Sequence, residues 1–525
     1  MATFSTPATP VRDLISPLYV EYADRVAFRF RDESVTFAEL GARALRIANS
    51  LRARGLQEGD RVVVIGDNSI EWVLLEHALY AGGFVRVAVL TRLHPKEVAR
   101  LVADAEASAA VVDSAWLEKA GRDWVPESVQ HLFVFGEPIA DTTSFAELEE
   151  SGNDSPVLAV DPDALSWIAY TSGSTGLPKG VMHTQRSLGA FLRNAVAELG
   201  PMTAEDVALH SAPLSHFSGV IELAVTIGGG TNLLHPSFNA EAVIDAIEND
   251  GVTILPLVPT QITMLTDALR ARSRAGRSVD LGRVRLVPYA GSAIAPDRLG
   301  LALNFFGGTL MQFYGAQEAP MPLTCLRPED HVSGDTSRLA SAGRKTRHVE
   351  LKIIGVDGAE VATGEVGEIC ARGENVTKGY WNNPAATAEV LRTDGWLHTG
   401  DMGYLDGEGF LFIVDRKKDM IVTGGFNVYP REVENTISTL AGVREVAVVG
   451  APSERWGEEI TAVVSVEPDA SLSEDDVIAH CQTAIAGYKA PKRVLFVDEL
   501  PKTGTGKIQK VDIRADLWQG LARRV

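Results

Sequence analysis

Tyr170-Thr171-Ser172-Gly173-Ser174-Thr175-Gly176-Leu177-Pro178-Lys179-Gly180 follows directly on the alternating run from Leu165 to Tyr170. Small hydroxyl residues and glycines placed after a strand let backbone N–H groups and hydroxyls wrap phosphate oxygens without steric clash. The stretch is not the pattern of Gly, four residues, then Gly-Lys-Ser/Thr, because Lys179 lies three positions after Gly176 and is followed by Gly180. By composition alone it reads either as a phosphate loop of another kind or as a solvated turn.

On either side the chain alternates apolar runs with amphipathic segments. Arg61 to Gly66 and Ala109 to Val112 read as buried strands, with Val98, Leu101, Val102 and Ala105 at helical spacing between them. The rhythm continues through Ile254 to Val258, a helix around Ile262 to Leu269, and Val284 to Tyr289. The expected fold class is α/β, a large N-terminal domain of doubly covered, parallel sheets over residues 1–414. From about Val349 to Val414 short strands alternate with Gly-rich turns, which predicts a small β subdomain. A charged pivot, 415–419, leads into a small α+β C-terminal domain, 420–525. There, Pro430 suits the first turn of a helix carrying Val433, Ile437 and Leu440, and Ser473 caps a second carrying Val477, Cys481 and Ile485.

The 525 residues are 45% hydrophobic and 22% charged, the composition of a folded protein with roughly three or four folding units. Lys and Arg number 49 against 69 Asp and Glu, a formal net charge of −20, which argues against broad adhesion to nucleic acid or anionic membranes. A phosphate ligand must therefore be held locally. The cysteines Cys325, Cys370 and Cys481 show no metal-ligand spacing and imply a reducing compartment. The N-terminus lacks the look of a signal peptide, and the best membrane candidate, Ser218 to Leu234, is interrupted by Glu222. A cytoplasmic location without an integral membrane segment is expected.

The phosphate loop resembles the signature of adenylate-forming enzymes, the superfamily of acyl-CoA synthetases, firefly luciferase and nonribosomal peptide adenylation domains. Further family motifs recur in order across essentially the whole chain. Pro213 to Gly219 resembles the acyl-pocket motif, Tyr289 to Ala293 and Tyr314 to Glu318 the adenine and phosphate segments, and Trp396 to Asp401 the ribose segment. Asp415 to Asp419 is similar to the hinge, Gly424 to Pro430 to the loop after it, and Pro501 to Ile508 to the C-terminal lysine loop.

The resemblance implies an acid–thiol ligase using ATP, Mg²⁺ and CoA. A carboxylate attacks the α-phosphorus of ATP, pyrophosphate leaves, and a thiol then displaces AMP from the acyl-adenylate. The first step brings one anion onto another, so cations and oriented donors are needed. Lys507 is the expected bridging cation, Glu318 the Mg²⁺ ligand with the Thr171 hydroxyl as a second, and His216 a wall or gate of the acyl pocket. The nucleotide set is Thr171, Ser172, Gly173, Ser174, Thr175, Gly176, Lys179, Gly291, Ser292, Ala293, Gln312, Tyr314, Gly315, Gln317, Asp401 and Arg416. For Tyr314, simple core packing stands beside the adenine role. The acyl pocket is expected from His216, Phe217, Gly219, Gly291, Ala316 and Met321. Gly424 and Gly425 would let the CoA arm approach, and the C-terminal domain would turn about Lys418. Lys489, Lys492 and Arg493 read equally as cations for the CoA nucleotide or as solvated charges.

Amino-acid-activating members have Asp just after the pocket aromatic, whereas here Phe217 is followed by Ser218, which disfavours an α-amino acid. No carrier-protein attachment segment follows Lys507, so free CoA is the expected acceptor, with a separate carrier protein, or an enzyme performing mainly the thioesterification step, as alternatives. The small apolar pocket residues suit a hydrophobic carboxylic acid of some bulk. A luciferase-like oxygenase and a non-catalytic nucleotide-binding regulator are the rival classes, and homodimerisation is left open. One position departs from the family pattern: the residue before Glu318 is Gln317 instead of the usual Thr.

Overall fold

The computed structural model describes residues 8–518 except 140, 154, 156–159, 172–177, 293, 295, 425, 454, 468–469 and 503–507, with the backbone alone at 296, 297, 336 and 427. Among the described residues the strands assemble into five sheets. The largest has seven strands in the order Thr143–Ser144, His131–Phe135, Ala109–Asp113, Arg61–Ile65, Val85–Val89, Leu165–Thr171, Lys179–Thr184. All its pairings are parallel except the last, the hairpin that carries the phosphate loop. Val62 to Ile65 and Ala109 to Val112 are buried, as continuous apolar runs in a covered sheet require.

A second sheet orders Val207–His210, Thr231–Leu234, Val26–Phe30 and Glu33–Thr36, and a third Val287–Tyr289, Leu310–Tyr314, Thr324–Leu326 and Arg344–Lys345. Both mix parallel with antiparallel pairs, a departure from the all-parallel expectation that arises where strands are joined by short turns. The run Ile254 to Val258 is extended but contributes single bridges, Ile254 to Ala208 and Leu286, and Leu257 to Tyr289.

The short strands expected from Val349 to Val414 form an antiparallel sheet of Glu350–Ile354, Gly367–Arg372, Leu397–Leu405 and Leu411–Arg416. Its nine-residue third strand is the one the sequence reading did not assign, because Gly400 and Gly403 interrupt the apolar alternation. In the C-terminal part, Val443–Ser453 and Gly457–Val466 form a long hairpin under the helices Pro430–Ser438 and Glu474–Ala484. Val433, Ile437, Val477 and Cys481 are buried, and the Ser473 side chain accepts from Asp476 N–H at 3.2 Å, the expected cap.

Two buried features stand out within the interior. Under the helix Phe217–Ile227, Glu222 lies 3.9 Å from His77, both fully buried, and Glu76 is paired with Arg86. Tyr80 donates to Glu76 at 2.9 Å, and the Arg86 guanidinium stacks 3.8 Å from the Trp167 ring. All three cysteines are free and buried, and burial pushes the thiols up, to about 12 for Cys370 and about 11 for Cys481. Among the described residues no helix is long and apolar enough to cross a membrane.

Candidate active site

The hairpin brings Thr171 opposite Lys179, and the Thr171 hydroxyl donates to the Lys179 carbonyl at 3.5 Å. Segment 377–381 runs along the outer strand: Met182 N–H meets Gly379 O at 2.9 Å and Trp381 N–H meets Gly180 O at 2.7 Å. This pairing delivers Tyr380, a residue the sequence reading did not single out. Its hydroxyl donates to Glu318 Oε1 at 2.7 Å while the Lys179 ammonium stands 5.1 Å from its ring centroid. Burial and the Glu318 charge push the phenol up, so it remains a donor at neutral pH. No short motif marks it; only the long-range pairing does.

Glu318 ends a turn that starts at Tyr314. Gly315 is required there, because an added Cβ would lie 2.8 Å from the Met321 backbone. His183 Nε2 donates to the Gln317 carbonyl at 2.7 Å from full burial, which lowers the imidazole pKa to about 4 and keeps it neutral. Thr184 caps the following helix, Gln185–Leu199, accepting from Ser187 N–H at 3.1 Å, and thereby fixes the end of the strand that carries His183.

Tyr314 donates to Asp401 Oδ2 at 2.7 Å, and Arg416, opposite Asp401 across the sheet, approaches Oδ1 at 3.4 Å. Burial raises the Asp401 pKa, opposed by Arg416 and the Tyr314 hydrogen bond and reinforced by Glu318. Tyr314, Asp401, Arg416, Glu318, Tyr380 and Lys179 thus converge on the end of the hairpin. Gly291 follows Val287–Tyr289 with φ +98°, Ser292 is exposed, and Gln312 accepts from the Tyr289 hydroxyl at 3.3 Å. Among the described residues no three His, Cys, Asp or Glu side chains form a metal cluster. The single carboxylate of Glu318 fits a hard cation that takes its remaining oxygens from phosphate and water.

His216 precedes the helix Phe217–Ile227, with Nδ1 2.8 Å from Ser215 Oγ. Phe217 meets Phe313 edge-on at 6.1 Å, and Met321 packs on the same apolar cluster. Gly219 has a different surrounding: a Cβ there would lie 2.0 Å from the Leu214 carbonyl, so this glycine lets the helix close against the Pro213–His216 turn.

In segment 415–419, Lys418 sits in a turn closed by Asp419 N–H to Arg416 O at 2.9 Å, and burial lowers its pKa. Gly424 has φ +57° beside Trp456. Lys489 is ion-paired with Glu432 at 2.6 Å, and Lys492 donates to Gly487 O at 3.3 Å. Ser172, Gly173, Ser174, Thr175, Gly176, Ala293, Gly425 and Lys507 lie outside the described residues.

A seven-stranded sheet whose last hairpin carries Thr171 and Lys179, with the Tyr314–Asp401–Arg416 group and the Tyr380–Glu318 pair beside it, fits a nucleotide-dependent enzyme of the adenylate-forming class. The chain belongs to the AMP-binding enzyme family, which matches residues 19–381, and its C-terminal domain matches residues 432–507. It is 38% identical over 498 residues to the indoleacetate–CoA ligase of Aromatoleum aromaticum, covering 93% of this chain and 94% of that one. The feruloyl-CoA synthase of an Amycolatopsis species is 37% identical, with 93% and 95% covered. The ATP-bound structure of MatB from Rhodopseudomonas palustris matches with a TM-score of 0.87 at 30% identity, covering 97% of this chain and 99% of that one.

Proposed function

We propose that the chain is an AMP-forming ligase that joins a hydrophobic carboxylic acid to the thiol of CoA through an acyl-adenylate. The observation that carries the reading is the convergence of Tyr314, Asp401 and Arg416 with Glu318, Tyr380 and Lys179 at the phosphate hairpin. The similarity to enzymes named as CoA ligases of aromatic and fatty acids supports the same chemistry.

Asp401 accepts the ribose hydroxyls and is oriented for this by Tyr314, while Arg416 donates to ribose or phosphate oxygens. Lys179 and the loop N–H groups hold the phosphates, and Mg²⁺ on Glu318 would neutralise them further. The substrate carboxylate enters past His216 and Phe217 and attacks the α-phosphorus, with Lys507 as the cation between the two anions. Residues 1–414 bind acid and ATP, residues 415–419 are the pivot, and residues 420–525 present Lys507 for adenylation and the Gly424-Gly425 loop for thioesterification. Location in the cytoplasm accords with the three free, buried thiols.

The test is a panel of carboxylic acids with ATP, Mg²⁺ and CoA, reading AMP and thioester by mass. AMP and an acyl-CoA are expected. ADP in place of AMP, or turnover to an oxidised product without CoA, overturns the reading.

A further inference from the structure

The helix Gln185–Leu199 carries one polar side chain that its surroundings do not use. Asn194 is 1% exposed, and neither its amide oxygen nor its amide nitrogen has a partner among the described residues. Buried amides ordinarily find partners, and an orphan of this kind calls for a specific reason.

Its neighbours on the helix say where it faces. Ser187, Phe191, Asn194 and Glu198 recur at helical spacing and share one face. At one end Ser187 Oγ lies 3.4 Å from His183 Nδ1, whose other nitrogen holds the Gln317 carbonyl. At the other end Glu198 pairs with Arg327 at 2.6 Å and accepts from Arg347 N–H at 3.3 Å. The face between these ties therefore lies against the stretch from Gln317 to Arg327, which contains Met321 and Cys325. Phe191, one turn before Asn194, belongs to the same apolar cluster as Phe217, Phe313, Cys325 and Met321. The orphan amide thus shares a helix face with Phe191, next to the cluster of Phe217 and Met321 that the ligase reading assigns to the acyl pocket.

Resting on the ligase reading above, we propose that Asn194 is a specificity-determining residue whose amide hydrogen-bonds a polar group on the acyl part of the substrate. The acid is then hydrophobic over most of its surface but carries a hydroxyl, oxo or ring N–H group remote from the carboxylate. A plain hydrocarbon acid leaves the buried amide unpaired in the complex, and sites built to bond a substrate hydroxyl or N–H discriminate strongly against the analogue that lacks it.

The experiment measures kcat/KM for AMP release with matched pairs of acids: 3-(4-hydroxyphenyl)propanoate and 3-phenylpropanoate, indole-3-acetate and naphthalene-1-acetate, 12-hydroxydodecanoate and dodecanoate, 3-(4-oxocyclohexyl)propanoate and 3-cyclohexylpropanoate. In at least one pair the polar member is favoured by about tenfold or more. Asn194→Leu removes that preference by slowing the polar acid while the apolar acid keeps or gains rate, and the variant melts no lower than the parent. AMP release with no preference in any pair, or with a preference that survives in Asn194→Leu, overturns the inference alone. Equal loss on both members of every pair makes Asn194 a packing residue and also overturns it. Absence of AMP with every acid removes the ligase reading and this inference with it.

Discussion

The Tyr314 hydroxyl and the Asp401 carboxylate meet at 2.7 Å across 87 positions of sequence, joining the turn that leads to Glu318 to the strand Leu397–Leu405. A hydrogen bond to a charged group contributes about 1.5–3 kcal/mol. Tyr314→Phe is expected to raise the KM for ATP roughly tenfold, leaving the KM for the acid within twofold. Initial-rate kinetics with each substrate varied checks this, and equal shifts in both constants contradict it.

Gln317 offers a longer, jointed donor where its family carries a short hydroxyl, and His183 holds only its backbone carbonyl. Fixing the longer side chain costs more rotamer freedom. Gln317→Thr is therefore expected to speed single-turnover adenylation about tenfold, the equivalent of one charged hydrogen bond, while thioester formation moves less than twofold. Unchanged or slower adenylation makes Gln317 a working substitute.

Glu222 supplies a pH signature. Burial lifts its pKa from 4.5 to about 8, partly opposed by Thr226 and Arg86, so the folded chain keeps a proton there that the unfolded chain has lost. The stability from that proton is fully present below pH 4.5 and is lost as pH rises through 8, by up to about 1.4 kcal/mol per unit. Glu222→Gln lacks this slope, so its melting temperature should gain on the parent between pH 6.5 and 8. His77, lowered to about 4 by burial, acts in the opposite sense only below its unperturbed 6.5 and stays outside that window. Parallel melting curves would exclude the assignment.

The two half-reactions should separate by residue. Lys507→Ala is expected to lose adenylation while still converting a supplied acyl-adenylate, and Gly425→Leu to do the reverse. Lys418→Pro, with a fixed φ in the hinge turn, should retain one half-reaction and lose the other. Rapid-quench assays of each step decide this; equal losses in Lys507→Ala and Gly425→Leu defeat the two-face account.

Local pattern made the strand and helix elements readable. The runs at Arg61 and Ala109 became buried parallel strands, and Pro430 and Ser473 start helices where their chemistry demands. What escaped depends on partners distant in sequence. Glu222 read as a break in an apolar stretch, whereas its setting is His77 and Arg86 from the first 90 residues. Tyr380 carries no motif and joins Glu318 only because segment 377–381 pairs with the phosphate hairpin. Gly219 reads as pocket lining from its neighbours in sequence, and the folded turn adds a demand the sequence does not display: a Cβ there would lie 2.0 Å from the Leu214 carbonyl. Lys489 was open between a ligand cation and a solvated charge, and Glu432 lies against it.

The three buried cysteines have a chemical consequence for a protein that generates an activated acyl group. An acyl-adenylate acylates any thiolate it can reach, and a chain with an accessible, low-pKa cysteine would become its own substrate. Here Cys325, Cys370 and Cys481 are all shielded and their thiols are held protonated. The acceptor thiol then has no competitor within the fold, and an aromatic disulfide reagent added to the native enzyme should titrate free CoA alone, the protein's own three sulfurs reacting only once the chain is unfolded.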